Sequence, residues 1–226
     1  MASLKGESFT VKPLKGIKAI LWDNDGILVD TEKYYFQSTR EFLATLGIDL
    51  THELYLHISL KEGKSALDLA LDRGMTADEI LALRQQRDKR YIELLHQDIE
   101  IMAGVEEVLN VLAPRYKMAV VTSSRRQYFD IIHRNTGLLP FFDLILTRED
   151  YEHSKPDPEP YRLALEKLGI TADEALVIED SERGVTAAHR AGVRCAAIPN
   201  PLTRDGNFTL ACCVLDNCRQ LLPLLT

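Results

Sequence analysis

Four groups of residues have types and spacing that could do chemistry. Asp23, Asn24, Asp25 and Gly26 follow the apolar run Ile17 to Trp22. Thr122, Ser123 and Ser124 close a run that starts at Met118. Ser154, Lys155 and Pro156 come soon after Leu144 to Thr147, and Glu179, Asp180 and Ser181 close a run that starts at Leu176. Each group is a weak signal alone. An Asp-x-Asp pair is common in solvated turns, and a Thr-Ser-Ser run often caps a helix. Glu-Asp before Ser also suits a first helical turn, where acids meet the positive end of the dipole. Together they supply acid, hydroxyl, cation and acid, in that order, each beyond an apolar run.

That set fits phosphoryl transfer through an aspartyl-phosphate. Asp23 and Asp180 would converge on a hard cation, Mg²⁺, which takes oxygen ligands. The cation would relieve the repulsion between a carboxylate nucleophile and a phosphate dianion. Asp23 would attack phosphorus. Asp25 would protonate the leaving oxygen and then deprotonate the hydrolytic water, and its backbone carbonyl would reach the metal. Thr122 and Lys155 would hold the phosphate oxygens, the hydroxyl by hydrogen bonding and the ammonium by charge. Backbone N–H groups near Asn24 and Ser123 would complete the cradle. Gly26 lets the chain turn sharply away from the nucleophile.

Such convergence needs elements that bring four distant segments to one edge. A parallel sheet does this, because its ligands bind beyond the carboxyl ends of the strands. Ile17 to Trp22, Met118 to Thr122, Leu144 to Thr147, Leu176 to Glu179 and Cys195 to Ile198 read as buried strands. Between them, Val105, Val108, Leu109 and Leu112 have helical spacing, as do Tyr128, Ile131 and Ile132, and Leu163, Leu165 and Leu168. Gly137, Gly169 and Gly192 mark helix stops, and Pro160 suits a first helical turn. The alternation predicts an α/β fold with a parallel sheet covered by helices on both faces.

From Thr31 to Ile101 the alternation breaks and only helical signals occur. Phe36, Thr39, Leu43 and Leu46 form one face, and Ala66, Leu67, Ala70 and Leu71 another. Thr76 with Glu79 is a capping-box pattern that opens a third helix running to Leu95. The expected organisation is a core from residues 1–30 and 102–226, with a helical insertion over 31–101. Hinges are expected near Val29 to Lys33 and Ile101 to Gly104. Residues before about Lys15 are expected to form a loosely held arm.

Composition narrows the function classes. The chain has 226 residues, 46% hydrophobic and 27% charged, which are ordinary globular values. With 27 Lys and Arg against 34 Asp and Glu, the net charge is −7, which argues against nonspecific nucleic-acid binding. No apolar run approaches the roughly 18 residues that span a bilayer, and the start shows no signal-peptide core. The four cysteines form no C-x-x-C pair and read as reduced thiols. A cytoplasmic protein with no membrane or nucleic-acid partner is expected, as monomer or homodimer.

At this point the sequence closely resembles the haloacid dehalogenase superfamily, and within it the phosphatases and phosphomutases with a helical cap inserted after the first motif. The residues that carry the resemblance are ILWDNDGILVDTE (from Ile20), VVTSS (Val120 to Ser124), SKPDPEPY (Ser154 to Tyr161) and VIEDSERGVTAAHRAG (Val177 to Gly192). The resemblance implies a Rossmann-like sheet of five or more strands, an α-helical cap and Mg²⁺ dependence. It implies Asp23 as nucleophile, Asp25 as acid and base, Thr122 and Lys155 as phosphate ligands, and Asp180 as metal ligand. Glu179 would bind the metal or support the residues that do.

Two departures bear on the reaction. Ile27 stands where the family's first motif usually has Thr, which loses a hydroxyl. Tyr35 stands where β-phosphoglucomutase-like members carry a cap-hinge histidine, which favours hydrolysis over mutase chemistry. The presence of Asp25 disfavours dehalogenation and phosphonate cleavage, whose enzymes lack that acid.

The cap segment His57 to Ser65 is the expected specificity region, with Lys61 and Lys64 as candidate contacts to a sugar phosphate or carboxylate. Arg125 and Arg126 are further candidates. His57, His96, His133, His153 and His189 show no spacing for a metal site and read as structural or surface residues. The leading expectation is a Mg²⁺-dependent phosphatase acting on a small phosphorylated metabolite. A phosphoacceptor signalling module is the competing class, disfavoured by the chain's length, its helical insertion and Asp25.

Overall fold

A computed structural model describes residues 13–97 and 99–225. The first strand, β1 (Ala19–Trp22), is wholly buried. It lies mid-sheet and leads into the helical segment: α1 (Glu32–Thr45), the short α2 (His52–Tyr55), a π-helical turn at Leu56–Lys61, a 3₁₀ stretch at Ala66–Arg73 and α3 (Ala77–Leu95). The chain then returns through α4 (Val105–Leu112), β2 (Lys117–Val121), α5 (Arg126–Ile132), β3 (Leu144–Leu146), α6 (Glu159–Leu168), β4 (Ala175–Glu179), α7 (Glu182–Arg190), β5 (Arg194–Ala197), β6 (Cys213–Val214) and α8 (Leu222–Leu225). All six strands are parallel, in the order β3-β2-β1-β4-β5-β6. The expected α/β architecture is therefore present, a Rossmann-like parallel sheet with helices on both faces. β6 is an addition that two residues could not announce by periodicity.

Alternate residues of each strand feed opposite layers. Ile20, Trp22, Val120 and Ile178 pack with Val108, Leu109 and Phe129 on one face. Leu21, Val121 and Val177 pack with Tyr161, Leu165 and Val185 on the other. A separate cluster around Phe36, Leu43, Leu50, Tyr55 and Leu67 holds the helical segment together. Among the described residues, no helix is long and apolar enough to cross a membrane.

Register decides what the strand ends present. Trp22 sits opposite both Val120 and Ile178. The residues that follow, Asp23, Val121–Thr122 and Glu179–Asp180, therefore leave the sheet side by side.

Several expectations need correcting in detail. The stretch from Ala66 is a 3₁₀ helix, not an α-helix. Ala66, Leu67 and Ala70 are buried as expected, but Leu71 is 51% exposed. With three residues per turn, each step rotates about 120°, which carries Leu71 off the face it would share at α-helical spacing. The Thr76–Glu79 capping box is formed in full, in both directions. The arm before Lys15 falls mostly outside the described residues, but Leu14 is tied down, its N–H donating to Leu224 O at 2.8 Å.

The two expected hinges turn out to be neighbours. Asp30 N–H donates to Glu100 O at 2.9 Å, and Met102 N–H to Leu28 O at 3.0 Å. Val29 and Ile101 form an antiparallel bridge between them. Gly104, with φ of 85°, caps the start of α4 in the left-handed region.

Candidate active site

The loop after β1 is bound tightly to itself and to β4. Asp23 N–H continues the ladder to Ile178 O at 2.9 Å, and Asn24 O accepts from Leu28 N–H at 2.8 Å and from Val29 N–H at 3.2 Å. Gly26 has φ of 85°, and a Cβ there would overlap the Asp180 carboxylate and lie 2.6 Å from Asn200 Nδ2. Backbone conformation and space both require glycine, because the turn passes directly beneath the β4 acid.

Three segments meet at one ammonium. Lys155 Nζ donates to Asp23 Oδ1 at 2.7 Å, Glu179 Oε1 at 2.7 Å and Val121 O at 2.8 Å. Lys155 is 5% exposed. Burial pushes its ammonium down, but the Asp23 and Glu179 carboxylates outweigh this and hold it above the ordinary lysine range. All three N–H donors are used, so the head group is fixed in place.

Glu179 is fully buried. Besides Lys155 it accepts from Tyr161 Oη at 2.7 Å and Ser181 Oγ at 3.0 Å. Burial would push its pKa up, yet Lys155 and these donors hold it below the ordinary carboxylate value. Gly184, in the first turn of α7, makes room for it, since a Cβ there would fall on the Glu179 carboxyl group. Gly184→Ala is therefore expected to push Glu179 off Lys155 and lower stability by about 1–3 kcal/mol, the usual cost of overpacking. Urea unfolding would measure it, and an unchanged midpoint would mean that Glu179 shifts freely.

The donor set fits a divalent cation. Asp23, Glu179 and Asp180 each offer an oxygen within 4.8 Å of the others. Burial pushes Asp180 well above the ordinary carboxylate range, with Glu179 and Asp23 adding to it. Burial also pushes Asp23 up to about 7, opposed by Lys155 and reinforced by Glu179 and Asp25. One ammonium does not balance this crowd, and hard oxygen donors of this kind suit a divalent cation. Asn200 Nδ2 orients Asp180 from behind at 2.7 Å.

Asp25 stands apart from the three clustered carboxylates. Its own carboxylate accepts from Thr31 Oγ1, from Ser124 Oγ at 2.7 Å and from Thr122 Oγ1 at 3.4 Å. Thr122 is nearly fully buried, and its hydroxyl also accepts from Ser124 N–H at 3.0 Å. Tyr151 Oη fixes the Thr122 carbonyl at 2.8 Å. Ser123 is exposed and faces the cavity.

These groups open on a cavity of about 530 Å³ between the strand ends and the helical segment. Asp23, Asp25, Thr122, Lys155 and Asp180 form its floor, and Glu32, Tyr35, Tyr55, Arg87 and Tyr91 its far wall. Lys64 lines the cavity with its ammonium 2.8 Å from Glu62. Lys61 is exposed, at the end of the π-helical turn, and is not among the lining residues. Arg125 lines the cavity 3.8 Å from Asp88, while Arg126 turns to Asp150 at 3.4 Å. Arg183 joins floor to wall by donating to the Lys155 carbonyl and to Ser59 O at 3.4 Å.

Three residues here escaped the sequence reading. Glu32 is half-buried in the wall, where loss of solvent pushes it up to about 7, and accepts a hydrogen bond from Tyr55. Arg87 is 4% exposed, 4.2 Å over the Tyr35 ring, and donates to Thr39 Oγ1 at 3.1 Å. Its signal was available: Ile80, Leu83, Arg87, Tyr91 and Leu94 share one stripe of α3, and a cation on a buried stripe needs a reason. His133 is the third: of the two readings, structural or surface, its burial fits the structural one, but its partner in the site was not foreseen.

Carboxylates, a lysine and hydroxyls gathered at the ends of adjacent parallel strands, under a helical wall, define a phosphoryl-transfer enzyme of the α/β class. The profile of the haloacid dehalogenase-like hydrolase family matches residues 20–198, and the chain belongs to that family. It is a phosphatase by kinship. It is 30% identical over 183 residues to the phosphorylated carbohydrates phosphatase of Thermotoga maritima, covering 78% of this chain and 82% of that one. Pyrophosphatase PpaX of Bacillus cereus is 30% identical, with 93% and 97% covered. Among solved structures, CbbY of Rhodobacter sphaeroides in complex with xylulose-(1,5)bisphosphate superimposes with a TM-score of 0.78 at 26% identity, covering 93% and 100%.

Proposed function

We propose that the protein is a Mg²⁺-dependent phosphatase that hydrolyses a small phosphorylated metabolite, a sugar phosphate or similar, through an aspartyl-phosphate on Asp23. The observation that carries this reading is the pair of acids two residues apart with separate surroundings. Asp23 faces Lys155 and the acidic cluster, whereas Asp25 is held by three hydroxyls. Relatives that act on phosphorylated carbohydrates, and one bound to a sugar bisphosphate, support the substrate class.

An Asp23 carboxylate oxygen attacks phosphorus while the ester oxygen leaves with a proton from Asp25. Asp25, now ionised, takes a proton from water, and the resulting hydroxide displaces phosphate from Asp23. Both acids end as they began. Thr122 holds a phosphoryl oxygen by hydrogen bonding and the Lys155 ammonium acts on the phosphoryl group by its charge, with backbone N–H groups at Asn24 and Ser123 beside them. Asp23 and Asp180 would hold the cation with Glu179 behind them, and the Asp25 carbonyl would add a ligand. When bound, the cation neutralises charge between nucleophile and phosphate.

We assign residues 31–101 as a cap over a core of 1–30 and 102–226. Its wall residues Glu32, Tyr55 and Arg87 meet the part of the substrate beyond the phosphate. Tyr35 packs edge-on against Tyr91 with ring centroids 5.2 Å apart. A phenol so placed offers no imidazole for shuttling a sugar phosphate through a mutase cycle, which supports hydrolysis. The four cysteines are free, in keeping with a reducing cytoplasm.

Metal removal tests the reading. Turnover of p-nitrophenyl phosphate is expected to stop in EDTA and to return with Mg²⁺. Activity unaffected by the chelator would overturn the cation assignment. Phosphate recovered on glucose 6-phosphate instead of in water would revive the mutase. A panel of sugar phosphates ranked by kcat/KM would then find the substrate.

A further inference from the structure

We propose that His133 is a positioning residue that acts through Asn24 on the two reacting acids. The residue lies directly after α5 and is 3% exposed. Its Nε2 is 2.7 Å from Asn24 Oδ1, and its Nδ1 is 2.9 Å from Thr136 Oγ1. Asn24 is the residue between Asp23 and Asp25, and it is fully buried.

Proton accounting fixes the roles. An amide oxygen can only accept, so Nε2 carries the imidazole proton and donates it to Asn24. Nδ1 then accepts from the Thr136 hydroxyl. Burial pushes His133 down to about 4, which keeps this neutral form throughout the working range. Asn24 Nδ2 is buried with no partner among the described residues. The bond from His133 is thus what orients the Asn24 side chain.

The main chain of the same residue is held from the other side, where Asn24 O gathers the N–H groups of Ile27, Leu28 and Val29. Asn24 is therefore clamped at both ends in the middle of the catalytic turn. Helix α5 links the two acids to this anchor. Its N-terminal end follows Thr122 and Ser124, whose hydroxyls hold Asp25. Its C-terminal end carries His133. One short, rigid helix thus ties the donors on Asp25 to the anchor of the turn that bears Asp23 and Asp25.

The surroundings make a purely space-filling role a poor explanation. The ring centroid lies 4.4 Å from that of Phe129, which belongs with Ile132 and Leu138 to the apolar cluster on this face of the sheet. A polar pair in such a layer costs free energy unless it is hydrogen-bonded, and two aliphatic side chains would fill the space. What the pair supplies is direction, and a turn that drifts by about 1 Å is expected to lose up to about 10²-fold in rate.

The inference rests on Asp23 and Asp25 as the reacting pair. His133→Gln keeps an N–H donor where Nε2 stood. His133→Asn keeps one near Nδ1 and loses the reach to Asn24. Both are polar amides, so their burdens on folding are alike. With p-nitrophenyl phosphate and Mg²⁺, the Gln variant is expected to stay within about threefold of wild-type kcat. The Asn variant is expected to fall roughly 10- to 100-fold, with KM moved far less. Asn24→Leu should match that loss, and adding His133→Asn to it should cost nothing further.

Melting temperatures should not track these rates. Nitrogen NMR of the imidazole should show the proton on Nε2. Equal kcat in the two His133 variants, additive losses with Asn24→Leu, or a proton on Nδ1 would each overturn the proposal. Failure of Asp23 as nucleophile would show separately, in an Asp23→Asn protein that still turns over near the wild-type rate.

Discussion

Asp23→Asn is expected to lower steady-state turnover of p-nitrophenyl phosphate by roughly 10⁴-fold or more, the scale on which removal of a covalent nucleophile acts. The substitution preserves shape and removes only the attacking charge. Lys155 keeps Glu179 and the Val121 carbonyl as partners, so the strand ends have no reason to move. Stability should behave in the opposite sense from activity. Burial and neighbouring acids already push Asp23 up to about 7, so an uncharged amide relieves crowding with Asp180. Without metal, the D23N protein should therefore unfold no sooner than wild type. Residual turnover within tenfold of wild type, at an unchanged unfolding midpoint, would remove Asp23 from the mechanism.

For Asp25→Asn we expect a loss of about 10²- to 10⁴-fold, the range of general acid–base catalysis, with a kinetic signature of its own. The amide oxygen can still accept from Ser124, and the amide N–H can donate to the Thr31 hydroxyl in place of the oxygen it replaces, so the turn should keep its shape. What disappears is the proton carrier. p-Nitrophenolate leaves readily without a proton, so the first step should proceed while attack of water stalls. The enzyme should then release about one equivalent of nitrophenol per active site in a burst and stop, with phosphate retained on the protein. An alkyl phosphate, whose leaving oxygen needs protonation, should show no burst. Steady-state rates equal to wild type with both substrates would show that Asp25 moves no proton.

The two acids were legible in the sequence for a physical reason. Buried parallel strands are short apolar runs, and whatever polar group ends such a run sits at the sheet's edge. Asp23, Thr122 and Asp180 could be found that way. Lys155 could too, although a 3₁₀ turn and a loop separate it from β3. The far wall followed no such rule. Whether Lys61 or Lys64 faces the cavity depends on a π-helical turn ending at Lys61 and a reversal at Gly63, which has φ of 69°. Glu32 sits at the start of α1 and acquires its setting only from Tyr55, a partner from α2.

His133 was hidden for a related reason. Beside Phe129 and Ile132 it reads as one polar residue at the end of an apolar helix. Its partner Asn24 is 109 positions away in the chain. Tertiary contacts of this kind, like those of the far wall, leave no mark in the local sequence, whereas the strand-end residues are marked by local punctuation of the strands.

The antiparallel bridge between Val29 and Ile101 bears on how such an enzyme diversifies. Because the outgoing and returning chains lie hydrogen-bonded to each other, the intervening block is covalently joined to the sheet through a single stalk. Neither of its ends pulls on the sheet from a separate direction. Such a block is exchangeable in principle: another stretch of polypeptide whose ends lie equally close could be spliced onto the same stalk. Asp23 and Lys155 would keep their positions while the range of molecules admitted changed.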